Sequence, residues 1–246
     1  MKKYLYAGML ICGIMASCSG IEKRENMKEN DMLAEQESFT PCDISVGNVH
    51  FTQAKNGADD RVTLVGDTLK FVAGPQTDYF RSPDGSVLNS SAVLFTEIDN
   101  TQPFTFTAKV EPQFTETGTY SAGVLYIYED AGHSQKLCFE QDEFGDHRVV
   151  TVRTIGTSDD NNHQRITGPY VYMRLSSNGK QVGSYFSEDG ENWRMARLYK
   201  NDYPEKVLLG LSSQSPKDDE HTCYFSEVSL KDEAVSDFRS GTFVNE

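Results

Sequence analysis

Between Phe104 and Arg153 the chain alternates apolar and polar residues four times, with turn residues between the runs and no helical period anywhere. Phe104, Phe106, Ala108 and Val110 alternate with threonine and lysine. Leu125 and Ile127 follow, then Leu137 and Phe139, then Val150 and Val152. A period of two places one set of side chains on a buried face and the other set outside, which is the signature of strands. The same style continues downstream through Val171, Met173 and Leu175, through Val182 and Phe186, and through Val207, Leu209 and Leu211 to a last run, Cys223–Leu230. Upstream, Val49–Thr52, Val62–Val65, Leu69–Val72 and Ser91–Ile98 read as short strands. Asn178-Gly179 is the strongest hairpin signal in the chain, and Thr157–Gln164 reads as a polar loop. Roughly a dozen strands without intervening helices predict an all-β, two-sheet antiparallel jelly-roll sandwich.

That sandwich does not need all 246 residues. Lys2 and Lys3 precede a short apolar run, Leu5–Met15, too short to span a bilayer and suited to an export signal. Met15-Ala16-Ser17-Cys18 resembles the lipobox of bacterial lipoproteins, in which the cysteine thiol takes the lipid. The expected organisation is a signal peptide over 1–17, a tether over 18–40, a sandwich over 41–232 and a tail over 233–246. The tether is rich in Glu, Asn and Lys and poor in aromatics, so it cannot bury enough surface to order itself; a short helix over Glu29–Glu37 is the most it offers. Lipidation at Cys18 predicts an exported protein held on a membrane of the bacterial cell envelope. Plain secretion with cleavage near Ala16 is the alternative.

The net charge of −14 argues against nucleic acid, which needs a basic patch, and against electrostatic docking on an anionic bilayer. Cys42, Cys138 and Cys223 remain beyond the leader and tether, so at most one internal disulfide can form. Cys138 and Cys223 could pair if their strands are neighbours; buried free thiols are the other expectation.

If the alternation holds, Tyr126, Tyr128, Tyr170, Tyr172, Arg174 and Tyr185 face away from the core. Flat rings stack on sugars, and charged groups pair with hydroxyls. The candidate ligand-binding set is therefore Arg81, Tyr126, Tyr128, Glu140, Arg153, Tyr172 and Arg174, with a glycan as the expected partner. Tyrosine is also simply a good strand residue, so the set is a site only if its strands share one sheet.

No catalytic motif is present. Glu140-Gln141-Asp142-Glu143 has the look of a retaining-glucanase carboxylate strand, but Glu143 falls one residue early and points to the wrong face. Ser187–Trp193 resembles the Asp-box turn of sialidases, one residue short, which makes Trp193 an anchor beneath a turn. The five histidines have no metal spacing, and no G-x-S-x-G elbow exists. No cofactor is expected; Asp59-Asp60 or Asp159-Asp160 could hold calcium if loop carbonyls assist, and solvated loop charge accounts for both.

The order of motifs resembles a bacterial family of unknown-function proteins with a concanavalin A-like jelly roll of the lectin and glucanase type. Relatives include fungal regulation-of-enolase proteins and, more distantly, the sandwich appended to certain β-xylosidases. The likeness runs from Asp78–Arg81 through Phe104–Val110, Ser121–Tyr126, Lys136–Glu140 and Val149–Arg153 to Arg174–Trp193. The family's Ser-Asp-Trp loop is altered here, where Ser158-Asp159-Asp160-Asn161 has no tryptophan. The resemblance implies a twisted jelly roll with a concave groove, and no established reaction. The leading expectation is a lipid-anchored, non-catalytic carbohydrate-binding module. The alternatives are a glycoside hydrolase with Glu140 as one carboxylate, and an envelope lipoprotein whose role is structural or whose partner is a protein.

Overall fold

The structure is a computed structural model and describes residues 39–244. The leader, Cys18, the Glu29–Glu37 segment and most of the tether lie outside the described residues. Phe39 and Thr40, placed by composition in the tether, instead begin the first strand.

Two antiparallel sheets form the sandwich. The larger runs, edge to edge, β1 (Phe39–Val46), β2 (Val49–Lys55), β7 (Val93–Asp99), β16 (Lys206–Gln214), β9 (Ala122–Asp130), β10 (His133–Gln141), β11 (His147–Ile155) and β12 (Thr157–Arg165). The smaller runs β15 (Arg194–Lys200), β14 (Gln181–Ser187), β13 (Val171–Ser177), β8 (Phe104–Pro112), β17 (His221–Lys231), β4 (Thr68–Ala73) and β3 (Val62–Val65). A separate hairpin joins β5 (Tyr79–Arg81) to β6 (Val87–Asn89). The jelly-roll sandwich expected from the alternation is the fold observed.

The inner faces bury Phe106, Val110, Leu125, Ile127, Leu137, Phe139, Val171, Met173, Leu175, Val182, Phe186, Leu209 and Leu211 in one core. At about 25 cal/mol per Å² of apolar surface, this layer is the main favourable term in folding. The Asn178-Gly179 turn joins β13 to β14, with Gly179 at φ 80°, as such a hairpin requires.

Two sequence expectations fail in β11 and β12. Val150 and Val152 do not enter the inner core; they lie on the outer face of the larger sheet, packed with Tyr126, Val124 and Cys138. The run Val149–Val152 is apolar on both sides, so alternation alone cannot orient it. Pairing with β10 decides: Val150 lies opposite Cys138 and Val152 opposite Lys136, while Thr151 lies opposite the core residue Leu137. Val149 takes the inner position instead. The polar stretch Thr157–Gln164 is strand β12, held by backbone pairing to β11. Its charge and polarity suit an edge strand, where they discourage pairing with other chains.

The cysteines do not pair. Cys223 is buried in the inner core and Cys138 in the outer-face cluster, on different sheets, and both are free thiols. Burial pushes the Cys138 thiol well up, keeping it unreactive. Residues 233–244 lie on the outer face of the smaller sheet, with Val235 buried against Tyr185 and Trp193.

Candidate functional site

The outer face of the larger sheet divides into a covered half and an open half. The β5–β6 hairpin makes the cover. Tyr79 packs edge-on against Tyr126 and Tyr128 at centroid distances of 6.2 and 6.1 Å. Lys55 sits among the rings of Phe39, Tyr79 and Tyr128, and its ammonium donates to Tyr128 Oη at 3.1 Å. Asn56 donates to the Asn89 and Ser91 carbonyls at 3.0 and 2.8 Å, closing the base of the hairpin. The Arg81 amide donates to Ser158 Oγ at 2.9 Å and its Nε to the Gly156 carbonyl at 2.7 Å, fastening the hairpin to the start of β12.

Where the hairpin ends, a cleft of about 380 Å³ opens on the same face. Register builds its floor. Lys136 and Glu140 come from β10, Val150 and Val152 from β11, Asp160 and Asn162 from β12, and Gln214 from β16. Asp78, Phe80 and Leu88 wall one side, and Tyr120, Glu143 and Lys217 come from surrounding loops. The volume is that of a site for a small ligand.

Polar contacts inside the cleft are ordered. Lys136 Nζ donates to Asp78 Oδ1 at 2.8 Å and to Gln214 Oε1 at 3.1 Å. Burial works to lower the Lys136 pKa, but the Asp78 carboxylate outweighs it and the ammonium is held above its ordinary range. Gln214 Nε2 donates in turn to the Tyr120 carbonyl at 3.3 Å. Tyr120 holds φ at 64°, an uncommon value for a residue with a side chain, and its amide donates to the Gln141 carbonyl at 2.7 Å.

Glu140 is different. It is 8% exposed, and its carboxyl has no hydrogen bond or ion pair among the described residues. Its cross-strand neighbour Arg148 turns away to Asp142 and Asp146. Burial pushes the Glu140 pKa up to about 8; Lys136 pulls it down, and Asp78, Asp160 and Asp142 push it further up. Near neutrality the group is a buried acid that keeps its proton and faces an open cleft.

Of the candidate residues read from the sequence, only Glu140 lines this cleft. Tyr126 and Tyr128 are on its face but fully buried beneath the hairpin, so they form floor packing and offer no stacking platform. Tyr172 and Arg174 belong to the other sheet, where the tail covers Arg174: its Nη1 donates to the Gly241 carbonyl at 2.6 Å and its guanidinium lies 3.7 Å over the Trp193 ring. Tyr172 Oη donates to Glu227 at 3.1 Å. Arg153 shares the inward parity of Thr151 and sits at the sandwich end, paired with both Asp202 oxygens at 2.9 and 2.7 Å and 4.1 Å over Tyr199. Arg81 ties down the hairpin. The proposed set is therefore split between two sheets and does not form one site.

Lys136, Asp78, Gln214 and Tyr120 line the cleft but are not among the candidate ligand residues that the sequence offers. Lys136 was within reach, because it shares the outward parity of Glu140 along β10. Asp78, Tyr120 and Gln214 had no pattern to betray them, since pairing and loop path bring them there. The Asp-box-like turn is structural: Asp189 accepts from the Glu191 and Asn192 amides at 2.9 and 2.7 Å, and Trp193 packs beneath. Asp59 and Asp60 lie in one turn of 3-10 helix, and Asp159 faces Arg197 at 3.5 Å. Among the described residues no three metal-ligating side chains cluster.

Fold and cleft together define a jelly-roll sandwich with a polar cleft on the outer face of its larger sheet. The chain belongs to the family designated "Protein of unknown function (DUF1349)", which matches residues 58–233. No curated protein matches it in sequence. Among solved structures it is similar to a functionally unknown protein from Saccharomyces cerevisiae, at 20% identity and a TM-score of 0.64, over 80% of this chain and 97% of that one. It is also similar to the GH43 protein BlXynB from Bacillus licheniformis, at 12% identity and a TM-score of 0.54, over 73% of this chain and 36% of that one. Xylan beta-1,4-xylosidase from Bacillus halodurans is similar at 16% identity and a TM-score of 0.51, over 68% of this chain and 33% of that one. The chain thus spans about a third of the length of these two enzymes.

Proposed function

We propose that this protein is a carbohydrate-binding module of the bacterial cell envelope, and that the cleft over β10 is where a saccharide seats. The observation that carries the reading is Glu140: a nine-tenths buried carboxyl, without a protein partner, aimed into a cleft lined by Gln214, Asn162 and Asp160. Its stem is buried while its oxygens open on the cleft and not on a protein group, which leaves them available to a ligand seated there. Amide and carboxyl groups suit sugar hydroxyls, and the Tyr120 and Phe80 rings at the walls suit sugar C–H faces. Fold likeness to a xylan beta-1,4-xylosidase adds weight by analogy only. Calorimetric titration with a broad oligosaccharide panel tests it. Binding that weakens in Glu140→Ala and Asn162→Ala is the expected result; no heat across the panel rejects the module.

The same carboxyl favours a second reading. An acid held protonated near neutral pH is what a glycosidase uses to protonate its leaving group. Release of reducing sugar by the wild type, abolished in Glu140→Gln, would move the protein into that class.

Lys2, Lys3, the short apolar run and Ser17-Cys18 support export and anchoring through a lipid on Cys18. Labelling with a fatty-acid analogue in a bacterial host, lost in Cys18→Ala, is the expected result. Recovery of unlabelled protein from the soluble fraction would contradict it.

A further inference from the structure

The cleft carries more negative charge than its own cations neutralise. With Glu140 holding its proton, Asp78, Glu143 and Asp160 still outnumber Lys136 and Lys217 among the charges that line it. Lys136 is already committed to Asp78 and Gln214. Arg148, the cation nearest Glu140 across the ladder, is engaged with Asp142 and Asp146 and with the His163 carbonyl. Glu140 and Asp160 have no ion pair among the described residues; Lys136 is the one cation acting on Glu140, and Asp78, Asp160 and Asp142 all act against it. A neutral sugar would answer the hydrogen-bonding capacity of this floor and leave its field unanswered.

We propose that the cleft prefers saccharides bearing a protonated amine, and that the ammonium group seats against Glu140. The inference rests on the carbohydrate reading and specifies its ligand class. An ammonium brings three donors and one positive charge to a floor where the Glu140 and Asp160 carboxyl groups carry no ion pair of their own. Seating it changes the state of Glu140. The free cleft holds the carboxyl protonated; the bound cation stabilises the carboxylate, and the proton leaves to solvent. The balance is one neutral acid and one ammonium giving one ion pair and one released proton. Groups facing this event are Lys136 on β10, Asp160 on β12, Asp78 before the hairpin, Tyr120 and Glu143 in the flanking loops, and Lys217 after β16.

The test is calorimetry near pH 6, where both the amine and Glu140 are protonated. A fully deacetylated glucosamine tetrasaccharide and its N-acetylated counterpart are titrated in two buffers of different ionisation enthalpy. The deacetylated ligand should bind about tenfold more tightly, with proton release visible as a buffer-dependent heat. Glu140→Gln, folded by circular dichroism, should lose both the preference and the release. Equal affinities, or a preference that survives in Glu140→Gln, would overturn the inference. If the N-acetylated ligand binds without any advantage for the amine, only this inference falls. If neither binds and the wider panel is also silent, the carbohydrate reading falls with it.

Discussion

Lys136 and Asp78 meet across the cleft at 2.8 Å, with side chains only 4% and 14% exposed. Because Lys136 also reaches Gln214, one buried ammonium joins β10, β16 and the segment leading into the hairpin. Asp78 Oδ1 accepts from the Tyr79 amide at 2.7 Å as well, so the same carboxylate starts the hairpin that covers Tyr126 and Tyr128.

Removing one member of a buried pair leaves the other uncompensated, at a cost of about 3–5 kcal/mol. Asp78→Ala should fall in that range, because the ammonium it strands is the deeper group. Lys136→Met should cost less, since Asp78 is nearer to solvent and the new side chain fills the same space. Urea denaturation of both variants measures the difference. Losses below about 1 kcal/mol in both would mean that the pair contributes little to holding the hairpin down.

The pKa of Glu140 makes stability fall with rising pH. In the folded state the group titrates near 8, and its ordinary value is 4.5. Between those values the folded protein binds more protons than the unfolded chain, so stability declines as pH rises through this window. The contribution is greatest below the ordinary value and is gone above the folded one. Glu140→Gln removes this dependence. Relative to wild type it should gain on the order of a few kcal/mol between pH 5 and pH 9. Parallel stability–pH curves for the two proteins would show that Glu140 ionises freely in the fold.

His221 should act at the acid end. It is 4% exposed, and burial pulls its pKa down to about 4 from an ordinary 6.5. A histidine buried neutral contributes stability that is complete above its ordinary pKa and is lost as pH falls through the depressed one. Its Nδ1 lies 3.0 Å from Ser213 Oγ. The imidazole resonances should therefore remain those of the neutral ring down to about pH 5 in an NMR titration. Titration near 6.5 would contradict the buried geometry.

The inner core was legible in the sequence because a two-residue period orients a strand whenever only one side is apolar. Leu125, Ile127, Leu137, Phe139, Val171 and Met173 went where their period sends them. Val150 and Val152 did not, because Val149–Val152 carries apolar residues on both sides and only pairing with β10 distinguishes them. Tyr126 and Tyr128 leave the inner core as their period predicts, yet the hairpin buries them again. Alternation within a strand says nothing of what later covers its outer face. Nor does it say which sheet a strand joins: Tyr172 and Arg174 lie on β13 of the smaller sheet and Glu140 on β10 of the larger. Glu140 lines the cleft because its outward parity on β10 carries it to the open half of that face.

The tail on the smaller sheet gives the last prediction. Arg174 donates to the Gly241 carbonyl and Tyr185 Oη to the Phe238 carbonyl at 2.9 Å, while the Val235 amide donates to Ser176 Oγ at 3.0 Å. Gly241 holds φ at 76°, and a Cβ there would come within 2.4 Å of the Tyr185 ring. Gly241→Ala therefore meets both backbone strain of about 1–3 kcal/mol and a side chain locked at 0% exposure. The tail should yield before the sandwich does, since it rests on the sheet's outer face and contributes nothing to the inner core. Trp193, the single tryptophan of the chain, lies under this tail and reports on it directly. In Gly241→Ala its emission should shift to the red at lower urea than the loss of β-sheet circular dichroism, whereas in the wild type the two transitions should coincide. A variant whose two transitions still coincide at the wild-type midpoint would mean that the tail accommodates the methyl and that the Gly241–Tyr185 contact does not hold it in place.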